Sequence, residues 1–180
     1  INWKRGLKDM LRFEKPEYKI AEYIENNHYG KFELEPLERG FGTTMGNALR
    51  RVMLSSLPGS AITSVKIEGV MHEFQKIDGV VEDVTAIILA LKSVIIKNHT
   101  EEDKVIRLTA NTEGPVTAGD IEIDADLEII NPELVIANLV KGGKLEMEMT
   151  VSNGRGYVDA KTNQTLFGET KVGVIAIDSL

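Results

Sequence analysis

The clearest helical pattern in the chain covers roughly residues 43–57. Its apolar residues recur at spacings of three and four and so share one face of a helix: Met45, Ala48, Leu49, Val52 and Met53. Thr43 or Thr44 is a suitable cap for the start, and Pro58-Gly59 is a typical stop. The pattern therefore predicts an amphipathic helix that follows a turn.

Two adjacent arginines indicate what the outer side of this helix does. Arg50 and Arg51 lie about 100° apart around the helix axis, so at least one of them faces away from the apolar stripe. The positions four residues before and after each arginine hold no acidic residue. Arginine beside apolar side chains is typical of protein interfaces, and the helix is therefore predicted to contact a protein partner.

A second helix is predicted for residues 80–95. It carries a broad apolar face made of Val80, Val84, Ile87, Ile88, Leu91, Val94 and Ile95. A face of this width is typical of a helix that packs against a sheet, so we expect this segment to cover one side of the predicted strands.

Most of the remaining chain alternates apolar and polar residues, which is the pattern of strands. The strongest example is residues 145–151, in which Leu145, Met147, Met149 and Val151 alternate with polar residues. Further strands are predicted at 32–36 with Pro36 at the end or edge, 61–68, 105–109, 121–130 and 172–178. Turns are predicted at Gly114-Pro115, Gly142-Gly143 and Asn153-Gly154. Many strands with two helices predict an α+β fold.

Composition narrows the class of protein. The 180 residues include no cysteine, which excludes disulfides and thiolate metal sites and agrees with a reducing cytosol. The longest apolar run, Ala86–Leu91, is too short to cross a bilayer. The formal net charge of −7 argues against stand-alone nucleic-acid binding, which depends mainly on phosphate neutralisation.

Several motifs suggest chemistry, and each has a simpler explanation. The glycines of Gly40–Gly46 are spaced GxGxxxG without a following Gly-Lys-Ser/Thr, so a tight turn and close packing are favoured over phosphate binding. The three histidines, His28, His72 and His99, are too scattered for a zinc site. We therefore predict no catalytic, cofactor-binding or metal-binding residue.

Carboxylate pairs and one Arg-Tyr segment remain to be explained. Asp124/Asp126 fit the solvated face of a strand, and Glu82/Asp83 fit the first turn of a helix, where acids complement the helix dipole. Gly154-Arg-Gly-Tyr157 could stack on a base, but a loop that contacts a protein partner is the better interpretation in an acidic chain.

The same residues carry a family resemblance. The segment Leu37–Gly59, LERGFGTTMGNALRRVMLSSLPG, resembles the signature of the bacterial RNA polymerase alpha subunit, N-terminal domain. Five further blocks are similar to that family in the same order: Ala61–Phe74, Gly79–Lys92, Val116–Ile121, Arg155–Val158 and Gly173–Ser179. The resemblance covers roughly Met10 to Leu180, and six ordered blocks are more specific than any single motif.

The resemblance implies a division of the chain. Residues 12–57 and 172–180 would be part of a dimerisation subdomain made of strands and a helix, and residues 58–171 a mostly antiparallel β-rich subdomain inserted into it. Residues 1–9 would be an upstream extension or an expression remnant. In the family, the other half of the dimerisation subdomain follows the segment that ends here at Leu180.

The resemblance also implies a function and a set of partners. The family's N-terminal domain forms a homodimer that scaffolds the beta and beta-prime subunits in the cytoplasm, while catalysis and magnesium belong to those large subunits. Carried over, it nominates Arg50, Arg51 and Leu54 for the beta contact, and Lys92 and Ile177 for the beta-prime contact. It nominates Met45, Leu49, Val52 and Met53 for the dimer interface. In the family, a separate C-terminal domain binds DNA, so no direct DNA binding is expected here.

Two alternatives remain from the residues alone. A small metal-dependent hydrolase would need convergent carboxylates and a pocket, and a stand-alone β-rich binding module is excluded by no motif. Copurification with the large polymerase subunits would distinguish an assembly subunit from both.

Overall fold

The computed structural model describes residues 15–24, 29–166 and 173–179. The chain divides between Arg51 and Val52 into two compact units. The proposed extension at residues 1–9 lies outside the described residues. The subdomain boundaries expected at 57/58 and 171/172 stay predictions.

The first unit contains an antiparallel hairpin of β1 (Glu17–Ile24) and β2 (Tyr29–Glu35). The register runs from the Glu17–Glu35 pair to the Ile24–Tyr29 pair, with a bulge between Ile20 and Glu22. Pro36 ends β2, as predicted, because it cannot donate a hydrogen bond to a ladder.

Helix α1 (Phe41–Ser55) begins earlier than the sequence pattern predicted. Gly40 adopts φ +91°, a conformation that favours glycine, and the Phe41 N–H donates to the Glu38 carbonyl at 3.0 Å. Thr43 and Thr44 therefore lie inside the helix, and the prediction that one of them caps it was wrong. The predicted stop is confirmed, because the next strand begins at Pro58.

The second unit is built around antiparallel strands. They are β3 (Pro58–Ile67), β4 (Ile96–Asn98), β5 (Lys104–Ala110), β6 (Gly114–Thr117), β7 (Ile121–Glu122), β8 (Leu127–Ile129), β9 (Val135–Leu139), β10 (Leu145–Arg155) and β11 (Val174–Ala176). Seven of them form one sheet in the order β7-β5-β10-β3-β4-β8, with β11 also pairing β3, while β6 and β9 form a separate pair.

Strand β10 is central to this sheet, and its pattern explains the core. Leu145, Met147, Met149 and Val151 are all buried, which confirms the strongest strand prediction. They pack with residues of β3 and β5 such as Val65 and Leu108.

Helix α2 (Val84–Leu91) covers this core with Val84, Ile87 and Leu91. It is shorter than the predicted 80–95, because Asp83 caps its start and accepts the Ala86 N–H at 2.8 Å.

Other predicted elements need correction. The predicted strand 121–130 is two short strands separated by a turn that contains Asp124 and Asp126. The predicted turn at Asn153-Gly154 lies inside β10 instead, because those residues pair with Ser60 and Gly59 of β3. A short helix that was not predicted, α3 (Ala160–Leu166), precedes β11. The described residues thus form an α+β fold with three α-helices, and the predicted class is confirmed.

Candidate assembly interface

Helix α1 has an apolar stripe that no other described residue covers fully. None of its fifteen residues is buried within the described part of the chain. The four residues expected at a dimer interface are exposed as follows: Met45 37 %, Leu49 53 %, Val52 51 % and Met53 64 %. An amphipathic helix normally buries its apolar stripe, and a contiguous exposed one marks an interaction surface.

The residues nominated for the beta contact lie on the same helix. Arg50, Arg51 and Leu54 are all exposed, and Leu54 follows Arg50 by four residues, so the two occupy the same side of α1. A long cation next to an exposed leucine combines the two side-chain types that interfaces use as anchors and packing. Arg51 precedes Leu54 by three residues, so helix geometry places all three within about 100° of one another around α1.

Leu54 also lines a cleft of about 540 Å³ in the second unit. The apolar side of the cleft comes from Met53, Leu54 and Leu57, and the polar side from Asp103 and Arg155. The start of β3 and the end of β10 also line the cleft, where Gly59 pairs with Gly154. Such a cleft suits an apolar side chain flanked by polar groups.

Gly156 lines the cleft in a backbone conformation that favours glycine. Its φ is +66°, and a Cβ atom there would lie 3.5 Å from the Leu54 carbonyl oxygen. The Gly154–Tyr157 segment was predicted to be a loop. The structure places Arg155 at the end of β10 and leaves only Gly156 and Tyr157 beyond the strand.

A polar network that sequence reasoning missed holds the rim of the cleft. The Ser60 hydroxyl donates to Asn153 Oδ1 at 2.7 Å, and Asn153 Nδ2 donates to the Thr100 carbonyl at 2.6 Å. The Asn98 N–H donates to the same Ser60 hydroxyl at 3.0 Å. These bonds tie Asn98 and Thr100 to β3 and β10, three to five positions before Asp103, which lines the cleft. The Asn-Gly signal at 153–154 had been interpreted as a turn, which concealed this role.

The two residues nominated for the beta-prime contact fall into one region of the second unit. Lys92 directly follows α2, and its Nζ lies 2.7 Å from Asp178 Oδ2. Asp178 is the residue that follows Ile177 in the sequence. The hydrogen bond from Lys92 is the main reason why the pKa of Asp178 lies below its ordinary value. Ile177 is itself 1 % exposed and packs in the core, so a partner contact through its side chain has no free surface here. Its nomination stays a prediction.

The histidines of the described residues lie apart from one another and from clusters of carboxylates. Within the described ranges, no three histidines or carboxylates are grouped as metal ligands would be. His99 Nε2 lies 3.6 Å from Glu128 Oε2, and the ring of His72 is tilted by 42° against that of Phe74. His28 lies outside the described residues.

Three of the four carboxylates considered as candidate chemistry, Asp126, Glu82 and Asp83, have structural partners. Asp126 pairs with Lys104 at 2.9 Å, and Glu82 accepts hydrogen bonds from both the backbone and the side chain of Asn138 at 2.7 Å. Desolvation raises the pKa of Glu82, but the Asn138 bonds outweigh it and leave the pKa below its ordinary value. None of the helices in the described ranges is long and apolar enough to cross a membrane.

Comparison with known proteins identifies the family. The profile described as the RNA polymerase Rpb3/RpoA insert domain matches residues 65–180. The chain belongs to this family. The part of this chain that the insert-domain profile matches includes α2, β10 and the Lys92–Asp178 pair.

Curated relatives agree with this assignment. The chain is 60 % identical over 171 residues to the DNA-directed RNA polymerase subunit alpha of Desulforamulus reducens, covering 95 % of this chain and 54 % of the relative. It is 58 % identical to the subunit of the same name from Symbiobacterium thermophilum, with the same coverage. It is 54 % identical to the DNA-directed RNA polymerase subunit alpha of Carboxydothermus hydrogenoformans, over 95 % of this chain and 53 % of the relative. The chain thus spans about half the length of the curated relatives it matches.

Proposed function

We propose that this chain is the assembly region of an RNA polymerase alpha subunit. It pairs with a second copy and scaffolds the beta and beta-prime subunits for DNA-templated transcription in the cytoplasm. It contributes no catalytic residue of its own. The exposed apolar stripe of α1 carries this proposal, and the names of the relatives support it.

The exposed stripe has an energetic meaning. Fully burying one leucine, valine or methionine side chain contributes about 1.5–3 kcal/mol. Met45, Leu49, Val52 and Met53 are between 37 % and 64 % exposed, so about one-third to two-thirds of this free energy is still to be gained. A partner surface that covers them would gain it, which supports their assignment to the dimer interface.

The beta contact is assigned to the neighbouring surface of α1. Arg50 and Arg51 supply cationic anchors, and Leu54 supplies an apolar side chain at the cleft. Interfaces concentrate binding free energy in such residues, with arginine among the commonest anchors. The division into residues 12–57 with 172–180 and residues 58–171, taken from the resemblance, belongs to the same proposal.

The test is assembly with the large subunits. The full subunit that contains this chain is coexpressed with tagged beta and beta-prime, and the amount of alpha retained on beta is measured. We expect Leu54→Asp to lose most of the retained alpha while its melting temperature stays close to wild type. A matched control is Leu89→Asp on α2, since Leu89 is 59 % exposed and Leu54 58 %.

The outcomes separate the explanations. Loss with Leu54→Asp alone supports the assignment of the beta contact. Equal retention of both variants would reject it, and a pure protein with chelator-sensitive hydrolytic activity and no affinity for beta would reject the whole proposal.

A further inference from the structure

Lys92, Asp178 and Tyr157 form a connected polar cluster on the second unit. Asp178 Oδ2 accepts a hydrogen bond from Lys92 Nζ at 2.7 Å and a longer one from the Tyr157 hydroxyl at 3.4 Å. The lysine and the aspartate are 86 positions apart in the sequence, so the pair exists only because α2 and the segment after β11 meet in the fold.

This ion pair is less exposed than most other pairs in the described residues. The side chains of Lys92 and Asp178 are 34 % and 33 % exposed, whereas those of Lys19 and Glu35 are 64 % and 62 % exposed. Fully exposed pairs contribute little because water screens them and two long side chains must be ordered. Partial burial weakens the screening by water, so the attraction between Lys92 and Asp178 is stronger than that of an exposed pair such as Lys19–Glu35.

The backbone on both sides of Asp178 is fixed by hydrogen bonds. The Ile177 N–H donates to the Thr63 carbonyl at 2.8 Å, and the Ile177 carbonyl accepts from Asn163 Nδ2 at 2.7 Å. Ser179 exchanges two backbone bonds of 2.9 Å with Val158. The backbone from which Asp178 reaches Lys92 is therefore held in place on both sides.

Lysine itself is a flexible cation. Its ammonium has three N–H donors, of which Asp178 uses one, and its side chain loses considerable rotamer freedom when it is ordered. An anchor that orders the side chain before a partner arrives lowers the entropy cost of association.

We propose that Asp178, supported by Tyr157, is a positioning residue that holds Lys92 ready to donate to an acidic group of the beta-prime subunit. This inference rests on the proposed function, which assigns the beta-prime contact to Lys92. Neither Asp178 nor Tyr157 is required to touch the partner, since both act through the lysine.

The experiment is a double-mutant cycle on the full subunit in complex with beta. The equilibrium binding of purified beta-prime is measured for wild type, Asp178→Asn, Lys92→Met and the double variant. Ordering one long side chain is worth roughly a 2- to 12-fold change in affinity, so Asp178→Asn is expected to weaken binding by about that factor. In the Lys92→Met background the same change is expected to have no further effect.

Controls separate positioning from general loss of structure. Asp126→Asn removes the Lys104 ion pair of the same unit and is expected to leave beta-prime affinity unchanged. Asp178→Glu is expected to restore part of the affinity because it keeps the charge. If Asp178→Asn is partly unfolded at the assay temperature, Tyr157→Phe replaces it in the cycle, since it removes a single hydroxyl. A small loss of affinity that is seen with Lys92 and not with Lys92→Met then supports the inference, and an unchanged affinity overturns it.

Each failure has its own signature. Equal loss in both backgrounds would show that Asp178 acts independently of Lys92, and unchanged or tighter binding of Asp178→Asn would show that it does not prepare the lysine; either overturns the inference. If Lys92→Met itself binds beta-prime normally, the assigned contact is wrong, and the proposed function fails at that point instead.

Discussion

Helices α1 and α2 both have an apolar face, but the described residues bury that face only in α2. Within the described residues, α1 has no buried position over its fifteen residues, whereas α2 buries Val84, Ile87 and Leu91 in only eight. Both showed a helical period in the sequence. The period indicates that a face will be covered, but it does not show whether the same chain or a partner covers it.

The sharpest test of this comparison introduces the same charge into each helix. Ile87→Asp is expected to unfold the second unit, since Ile87 is 0 % exposed and an unpaired buried carboxylate costs several kcal/mol, comparable to the stability of a domain. Leu49→Asp on α1 should change the melting temperature little, because Leu49 is 53 % exposed. Thermal unfolding followed by circular dichroism measures both.

Leu49→Asp should instead weaken dimerisation, which sedimentation velocity of the full subunit at micromolar concentration measures. If Leu49→Asp unfolded the protein as Ile87→Asp does, or left a stable dimer, the contrast drawn between the two helices would be wrong.

A second prediction concerns the outer side of α1. Arg51→Ala should impair binding of the beta subunit while the fold stays intact, because loss of an interface arginine anchor costs about 2–4 kcal/mol. That corresponds to roughly a 30- to 1,000-fold loss of affinity. Pull-down titration of beta measures the effect, and undiminished binding by a normally folded variant would contradict it.

A third prediction concerns the start of α2. Asp83→Ala removes the cap that accepts the Ala86 N–H and should lower the stability of the second unit by about 1 kcal/mol. Asp83→Asn is the matched control, since asparagine caps nearly as well. Chemical denaturation of the three proteins measures the difference, and equal stability of Asp83→Ala and wild type would refute the capping role.

The smallest expected effect is the pH dependence of the Lys92–Asp178 pair. The folded pKa of Asp178 lies below the ordinary 3.8, mainly because of Lys92, so its contribution to stability is fully present above that pH. The contribution is lost as the pH falls through the folded pKa. The free energy of unfolding of wild type should therefore exceed that of Asp178→Asn by at most about 1 kcal/mol at neutral pH, and by less in acid. Chemical denaturation of both proteins at several pH values measures this difference.

The fold was predictable where the period of the sequence was local and strong. The alternation of Leu145 to Val151 correctly predicted a half-buried strand, and the stripe of α1 correctly predicted a helix. Prediction failed where a partner distant in sequence decided the conformation. Asn153-Gly154 has the composition of a turn, but pairing with β3 and the bonds to Ser60 and Thr100 keep it in β10.

The candidate site divides in the same way. Arg50, Arg51 and Leu54 were nominated by a continuous motif on one helix, and the fold keeps them on one surface. The contacts of Asp178 with Lys92 and Tyr157 could not be predicted, because nothing near these residues in sequence indicates that they meet. Lys92 and Ile177 were nominated separately, and only the structure shows that Asp178 links their neighbourhoods while Ile177 itself packs in the core.

The sequence by itself determined the family, the α+β class and the existence of an amphipathic helix with two arginines. These features depend on residue types at short spacings, which local backbone geometry converts directly into helices, strands and faces. Only the tertiary structure decided which apolar face is buried, where the cleft lies and which charges meet. Those outcomes depend on strand register and on contacts between distant segments, such as the 93 positions that separate Ser60 from Asn153. No local pattern carries that information.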